Sequence, residues 1–237
     1  MNWIMVKIIS TTNEEIDRQL GGGLPLPSLI LIEGEHGSGK SVIAALFTYG
    51  MLAAGMRVLM ISENNIREYI DKMKAITYNF SIPFLKRRLI MLPLHVYGAK
   101  WSREYAKYLL PIISRYINAN ADKFDAVVID SISLLTMYAE EEAILDFITR
   151  CKNLVTNGIS IVLTAHPSSM NENIGSKLRS ASDCYIRLKS VNVAGRDVKS
   201  VEIVKILGSM GQVNSQFSAE VSSVFGLKIV PIAMANA

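Results

Sequence analysis

Gly34-Glu35-His36-Gly37-Ser38-Gly39-Lys40-Ser41 matches the phosphate-binding loop pattern G-x-x-x-x-G-K-[ST] at every fixed position. Its flanks supply the setting that the pattern needs. Leu29-Ile30-Leu31-Ile32-Glu33 reads as a buried strand, and Val42-Ile43-Ala44-Ala45-Leu46-Phe47 opens a helix. Gly34, Gly37 and Gly39, with Ser38 among them, let backbone N–H groups turn inward toward phosphate oxygens, at a helix N-terminus that already favours an anion. Lys40 is expected to reach the β- and γ-phosphates, and the Ser41 hydroxyl to complete the shell of a Mg²⁺ ion. The loop therefore predicts binding of a nucleoside triphosphate with magnesium. Adenine and guanine are not distinguished by the sequence.

Working outward, the residues before Gly21-Gly22-Gly23-Leu24-Pro25 read as an opening helix capped by Thr12 or Asn13, with Ile16 and Leu20 at i, i+4. Beyond the loop, a helix runs to about Ala54. Arg57 to Ser62 forms a second strand that ends at Glu63-Asn64-Asn65, and a helix follows from Ile66 to about Thr77. Arg88 to Leu94 reads as a third strand, with Pro93 demanding a sheet edge or a strand end. From Ser102 to about Asn118, a helical stripe of Tyr105, Tyr108, Leu109, Ile112, Ile113, Tyr116 and Ile117 is expected to pack on the sheet, a partner groove being the alternative.

Phe124 to Asp130 is a fourth strand, apolar in the way of a parallel strand covered on both faces. A helix from Glu140 to about Asn157 leads into strand Ile159 to Thr164. Strands alternating with helices predict a mostly parallel sheet flanked by helices. Ser168 to Ser182 reads as a mobile loop or short helix. Cys184 to Lys189, Ser200 to Leu207 and Gly226 to Ile232 read as short antiparallel strands. The expected fold is α/β, one domain with a β-rich antiparallel C-terminal edge.

Half of the 237 residues are hydrophobic and 19% are charged, as expected for an ordered globule with buried strands. The net charge of +4 selects no particular partner. Cys151 and Cys184 lack metal-ligand spacing and are expected to be reduced and buried in a cytosolic protein. No signal peptide and no apolar run of about 18–20 residues is present, so any membrane role is expected to come through a partner.

Three further positions complete the candidate site. Asp130 ends an apolar strand and is followed by Ser131, the placement of an aspartate that holds Mg²⁺ through a water. Glu63 closes the strand after the phosphate-loop helix, where a carboxylate can polarise an attacking water; the alternative is a glutamate that merely heads the next helix. Thr164 and His166 end a later strand, and His166 stands either as a sensor of the γ-phosphate or as a turn histidine before Pro167.

Taken together, these residues resemble the RecA/KaiC-like ATPases, and within them the archaeal FlaH proteins of the archaellum motor, from about Ile9 to at least Gly211. Thr11 to Leu24 is similar to the KaiC-type lead-in. Met60-Ile61-Ser62-Glu63-Asn64 is similar to a strand end at which KaiC-like proteins carry two glutamates, the second position here being Asn64. Val204-Lys205-Ile206-Leu207-Gly208 resembles the strand that sends Lys-x-Arg-Gly toward a neighbouring subunit's nucleotide. Lys205 and Gly208 match, but Leu207 replaces the arginine and cannot stabilise charge developing on a γ-phosphate.

The resemblance implies a RecA-like, ATP-binding, cytoplasmic protein that forms a hexameric ring. It also implies docking with the motor ATPase FlaI, the membrane protein FlaJ and a scaffold ring such as FlaX. With Asn64 and Leu207 in place, hydrolysis is expected to be slow or absent. Autophosphorylation in the manner of a KaiC-like signalling kinase is the alternative. A recombinase-type nucleic-acid-dependent ATPase ranks lower, because Ser168 to Ser182 offers Lys177 and Arg179 but no aromatic residue.

Overall fold

The computed structural model describes residues 5–94, 102–193 and 195–230. Its strands are β1 (Lys7–Ile9), β2 (Leu24–Leu26), β3 (Leu29–Gly34), β4 (Val58–Ser62), β5 (Leu89–Pro93), β6 (Ala126–Asp130), β7 (Ser160–Ala165), β8 (Cys184–Val193), β9 (Arg196–Ile206), β10 (Gln216–Ser222) and β11 (Gly226–Val230). Its helices are α1 (Glu14–Gln19), α2 (Lys40–Ala53), α3 (Ile66–Lys74), α4 (Ser81–Leu85), α5 (Arg103–Ala106), α6 (Leu109–Ala119), α7 (Ile132–Thr136), α8 (Glu141–Thr156) and α9 (Glu172–Ala181). β1 and β2 form a small antiparallel pair. The other nine strands form one sheet in the order β11-β10-β9-β8-β3-β7-β6-β4-β5.

From β8 to β5 every neighbouring pair is parallel, and from β8 outward to β11 every pair is antiparallel. The central strands are apolar throughout because both faces are covered. Ile30, Ile32, Val58, Met60, Ala126 and Val128 pack with α1, α2, α3 and the Phe80 region on one side. Leu29, Leu31, Leu59, Ile61, Val127 and Ile129 pack with α6, α7, α8 and α9 on the other. The parallel register carries the C-terminal ends of β3, β4, β6 and β7 to one edge, where ligands of such sheets bind.

Several expectations need correction. Cys184 to Lys189 is not a purely antiparallel element: β8 runs parallel to β3 and antiparallel to β9. Of the two readings of Ser168 to Ser182, the short helix holds, as the ten-residue α9 capped by the Asn171 side chain. The strands β1, β2 and β10 and the short helices α4 and α7 were not legible, the expected opening helix being confined to α1, and residues 231–232 of the last expected strand lie outside the described residues. The helix from Ser102 is broken at Lys107 and resumes as α6. Pro111 explains the break, since it has no N–H for the carbonyl four residues back and its ring crowds that carbonyl. The stripe also divides: Ile117 is buried and Leu109 and Ile113 are partly buried against the core, whereas Tyr105, Tyr108, Ile112 and Tyr116 are exposed, and the buried Leu110 lies off the expected stripe. Other expectations hold. β5 is the sheet edge and Pro93 is its last residue, Asn13 caps α1, and both cysteines are buried thiols.

One buried charge ties the phosphate-loop strand to its surroundings. Glu33, 1% exposed and one residue before Gly34, accepts a bifurcated bond from the Arg179 Nε–H (3.1 and 3.0 Å to its two oxygens) and one from Tyr185 Oη at 2.6 Å. Arg179 also pairs with Glu172 at 2.8 Å, and its ionisation is held above the usual range by those two carboxylates. Stranding a buried carboxylate by removing its partner costs about 3–5 kcal/mol, and a quarter-exposed Arg179 places the effect at the low end. Arg179→Met should therefore lower the unfolding free energy by about 3 kcal/mol in urea titrations. Glu33→Gln should cost less, and a loss under about 1 kcal/mol for Arg179→Met would show that solvent replaces the pair.

Candidate nucleotide site

The loop leaves β3 at Gly34 and enters α2 at Lys40. Gly34 admits no side chain: a Cβ there would stand 2.4 Å from Ser38 Oγ and 2.7 Å from the Leu188 carbonyl of β8. Gly39 caps α2 at φ +94°, a conformation open to glycine at little cost. The first N–H groups of α2 have no intrahelical partner, and they sit at the positive end of the helix dipole.

A cavity of about 480 Å³ opens over this loop, lined by His36, Gly37, Gly39, Lys40 and Ser41 together with Glu63, Asn64, Asp130, Ser131 and His166. β6 is separated from β3 by β7, yet Asp130 still reaches the cavity from the end of its strand. Thr164 Oγ1 donates to Asp130 Oδ1 at 2.6 Å, and the Glu63 N–H donates to the Asp130 carbonyl at 3.0 Å. Asp130 Oδ2 is buried with no hydrogen-bond partner among the described residues, as is Ser38 Oγ. Leaving such atoms unmatched is costly, so the pocket is built for a partner that brings donors or positive charge. No group of three or more His, Cys, Asp or Glu converges for a metal among the described residues. A cation here would thus rely on one carboxylate, a hydroxyl and phosphate oxygens, which is how Mg²⁺ is usually held.

Lys40 Nζ donates to the Glu35 carbonyl at 2.8 Å and lies 3.3 Å from His166 Nδ1. Burial lowers the Lys40 ionisation below the usual ammonium range, against an upward pull from Asp130, Glu35 and Glu63. The His166 ring lies against His36, tilted by 31° with centroids 4.1 Å apart, and its backbone N–H donates to Ser133 Oγ at 2.8 Å. Burial, Lys40 and His36 together lower the His166 pKa to about 4, opposed by Glu35.

Of the residues expected from sequence, Gly37, Gly39, Lys40, Ser41, Glu63, Asp130 and His166 line one cavity, and Gly34 and Ser38 belong to the loop that floors it. Lys205 lies elsewhere. Its ammonium donates to the Ser180 and Ser182 carbonyls at the end of α9. Asp197, Lys199 and Val221 also line the cavity and were not anticipated. Nothing in their local sequence marks them, because they reach the site only through the pairing of β8 with β3 and β9 and, for Val221, of β9 with β10.

The sequence profile of the KaiC ATPases matches residues 9–231. The chain belongs to the KaiC ATPase family. Within that family it is 35% identical over 231 residues to the archaeal flagellar ATP-binding protein FlaH of Sulfolobus acidocaldarius, covering 97% of this chain and all of that one. It is 27% identical over 203 residues to FlaH of Methanocaldococcus jannaschii, covering 84% of this chain and 83% of the relative. The crystal structure of the flagellar accessory protein FlaH from M. jannaschii superposes with a TM-score of 0.85 at 24% identity, over 95% of this chain and 99% of that one, and shows the same fold. These relatives place the chain in the FlaH branch of the KaiC-type, RecA-like ATPases.

The His166 environment yields a signed pH effect. Its pKa falls from 6.5 to about 4 on folding, so the folded protein binds fewer protons than the unfolded chain between those values. The stabilisation is full above pH 6.5 and is lost as the pH falls through about 4. His166→Gln should therefore flatten the decline in thermal unfolding temperature between pH 7 and pH 4.5. An unchanged slope would show that the imidazole is not held neutral by Lys40 and burial.

Proposed function

We propose that the chain is an ATP-binding component of an archaellum motor, a subunit whose nucleotide state governs assembly and which turns ATP over slowly or not at all. The observation that carries the reading is a complete phosphate loop facing the buried Asp130 Oδ2, unpartnered among the described residues, in a chain of the FlaH branch. ATP would be held by the loop from Gly34 to Ser41, and Mg²⁺ by Ser41 and Asp130; the ion would supply neutralisation of phosphate charge. Glu63, at the cavity wall, is the candidate for polarising a water. His166, beside Lys40, is the candidate for sensing the terminal phosphate.

The thinned catalytic set supports slow turnover. Asn64 lines the cavity where a second carboxylate would be needed, and Leu207, 53% exposed, offers no guanidinium to a neighbour. Val204 and Met210 are exposed beside it, an apolar stretch suited to a subunit contact in a ring such as a hexamer. Lys205 would reach a neighbour's nucleotide only after leaving the α9 carbonyls, so its role in trans depends on assembly. By the FlaH likeness, FlaI, FlaJ and a FlaX-type scaffold are the proposed partners, at the cytoplasmic side of the membrane. No helix among the described residues is long and apolar enough to cross it. A recombinase-type role fits poorly: Lys177 pairs with Glu141 and Arg179 with Glu33 and Glu172, which leaves both cations engaged by carboxylates.

Mass measurement and turnover on one sample test the reading. Mg-ATP should drive the chain into a ring while turnover stays well below the ~1–100 s⁻¹ of active phosphoryl-transfer enzymes. Leu207→Arg should raise turnover at least about tenfold in the assembled form only. Brisk turnover in the unaltered chain, or a mass indifferent to nucleotide, would contradict an assembly subunit.

A further inference from the structure

Lys199 lies in β9 opposite Ser190 of β8 and Ala219 of β10, and it is 7% exposed. Its ammonium donates to the Gly37 carbonyl of the phosphate loop at 2.8 Å, to Ser190 Oγ at 2.9 Å and to the Asp197 carboxylate. An ammonium has three N–H bonds, and these acceptors use all of them. Its stem passes over the next turn of the loop: a Cβ placed on Gly39 would stand 3.6 Å from Lys199 Cγ.

The peptide unit joining Gly37 to Ser38 is thereby held at both ends. Its carbonyl is taken by Lys199, and its N–H donates to the Glu35 carbonyl at 3.2 Å. A peptide unit is planar, so two opposed bonds fix its orientation. That orientation sets the course of the chain through Gly39 into the first turn of α2, whose N–H groups await an acceptor.

We infer that Lys199 is a positioning residue for the phosphate loop: anchored by Asp197 and Ser190, it holds the Gly37 carbonyl outward and sets the loop before a nucleotide arrives. The β8–β9 hairpin is then a working part of the nucleotide site in the same chain. The inference rests on reading this loop as the triphosphate site. With its three N–H bonds committed, Lys199 acts through the loop backbone and not on the terminal phosphate. Loop order gained in advance lowers the cost of binding, and it does so equally for nucleoside di- and triphosphates.

Hydrogen exchange on the nucleotide-free protein, paired with ATP and ADP titrations, tests this directly. Lys199→Met should speed exchange in residues 34–44 and weaken ATP and ADP by the same factor, roughly tenfold to a hundredfold, the range for losing a hydrogen bond to a charged group. Lys199→Arg, which keeps charge and donors, should recover most of that affinity. If Lys199→Met does not fold, Asp197→Asn at an exposed position carries the same comparison, with a few-fold effect shared by both nucleotides. A loss confined to ATP would make Lys199 a phosphate ligand and overturn the inference, as would unchanged exchange and affinity. Failure of the unaltered chain to bind either nucleotide would sink the site reading, while the nucleotide-free exchange comparison would still judge the clamp.

Discussion

A parallel strand buried on both faces can carry polar chemistry only at its ends, and that constraint organises this molecule. β3, β4 and β6 are filled with Ile, Leu, Val, Met and Ala because helices cover both sides of the sheet. Their polar residues are pushed to the C-terminal edge, where Glu63 and Asp130 follow or end their strands beside the loop at Gly34. The site is a product of packing: once the core fixes the strand register, the loop, the carboxylates and His166 face one cavity.

Within that edge, charge is paired at the back, and one carboxylate oxygen is left open to a partner at the front. Glu33 is matched by Arg179 and Tyr185 behind the loop, which ties the strand end to α9 and β8. Among the described residues, Asp130 keeps one buried oxygen unmatched in front, although Thr164 binds the other. A protein that tolerates the cost of an unpaired buried carboxylate oxygen has reserved it for something that arrives. Lys40 rests on the Glu35 carbonyl and near His166, where phosphate oxygens would compete for it.

The legible parts were those whose physics is local. The phosphate loop needs glycines, a lysine and a hydroxyl at fixed spacing, and the strand–loop–helix setting is written in adjacent residues. Asp130 could be found because a run of buried aliphatic residues ends there. Lys199 and Asp197 could not, since their place depends on a hairpin contributed by the last third of the chain and on a parallel pairing with β3. The Tyr105 to Ile117 stripe was misjudged for a related reason. Helical spacing shows that a face is apolar, not that the sheet covers it: the buried face of α6 is Leu110, Ser114 and Ile117, which leaves Ile112 and Tyr116 outward.

The central claim is that the loop and Asp130 form one metal–nucleotide site, and calorimetric titration of ATP with and without Mg²⁺ addresses it most directly. The account predicts one ATP per chain, affinity at least about tenfold weaker without the ion, and no measurable binding in Lys40→Ala. Equal affinity with and without Mg²⁺, or undiminished binding in Lys40→Ala, would contradict it.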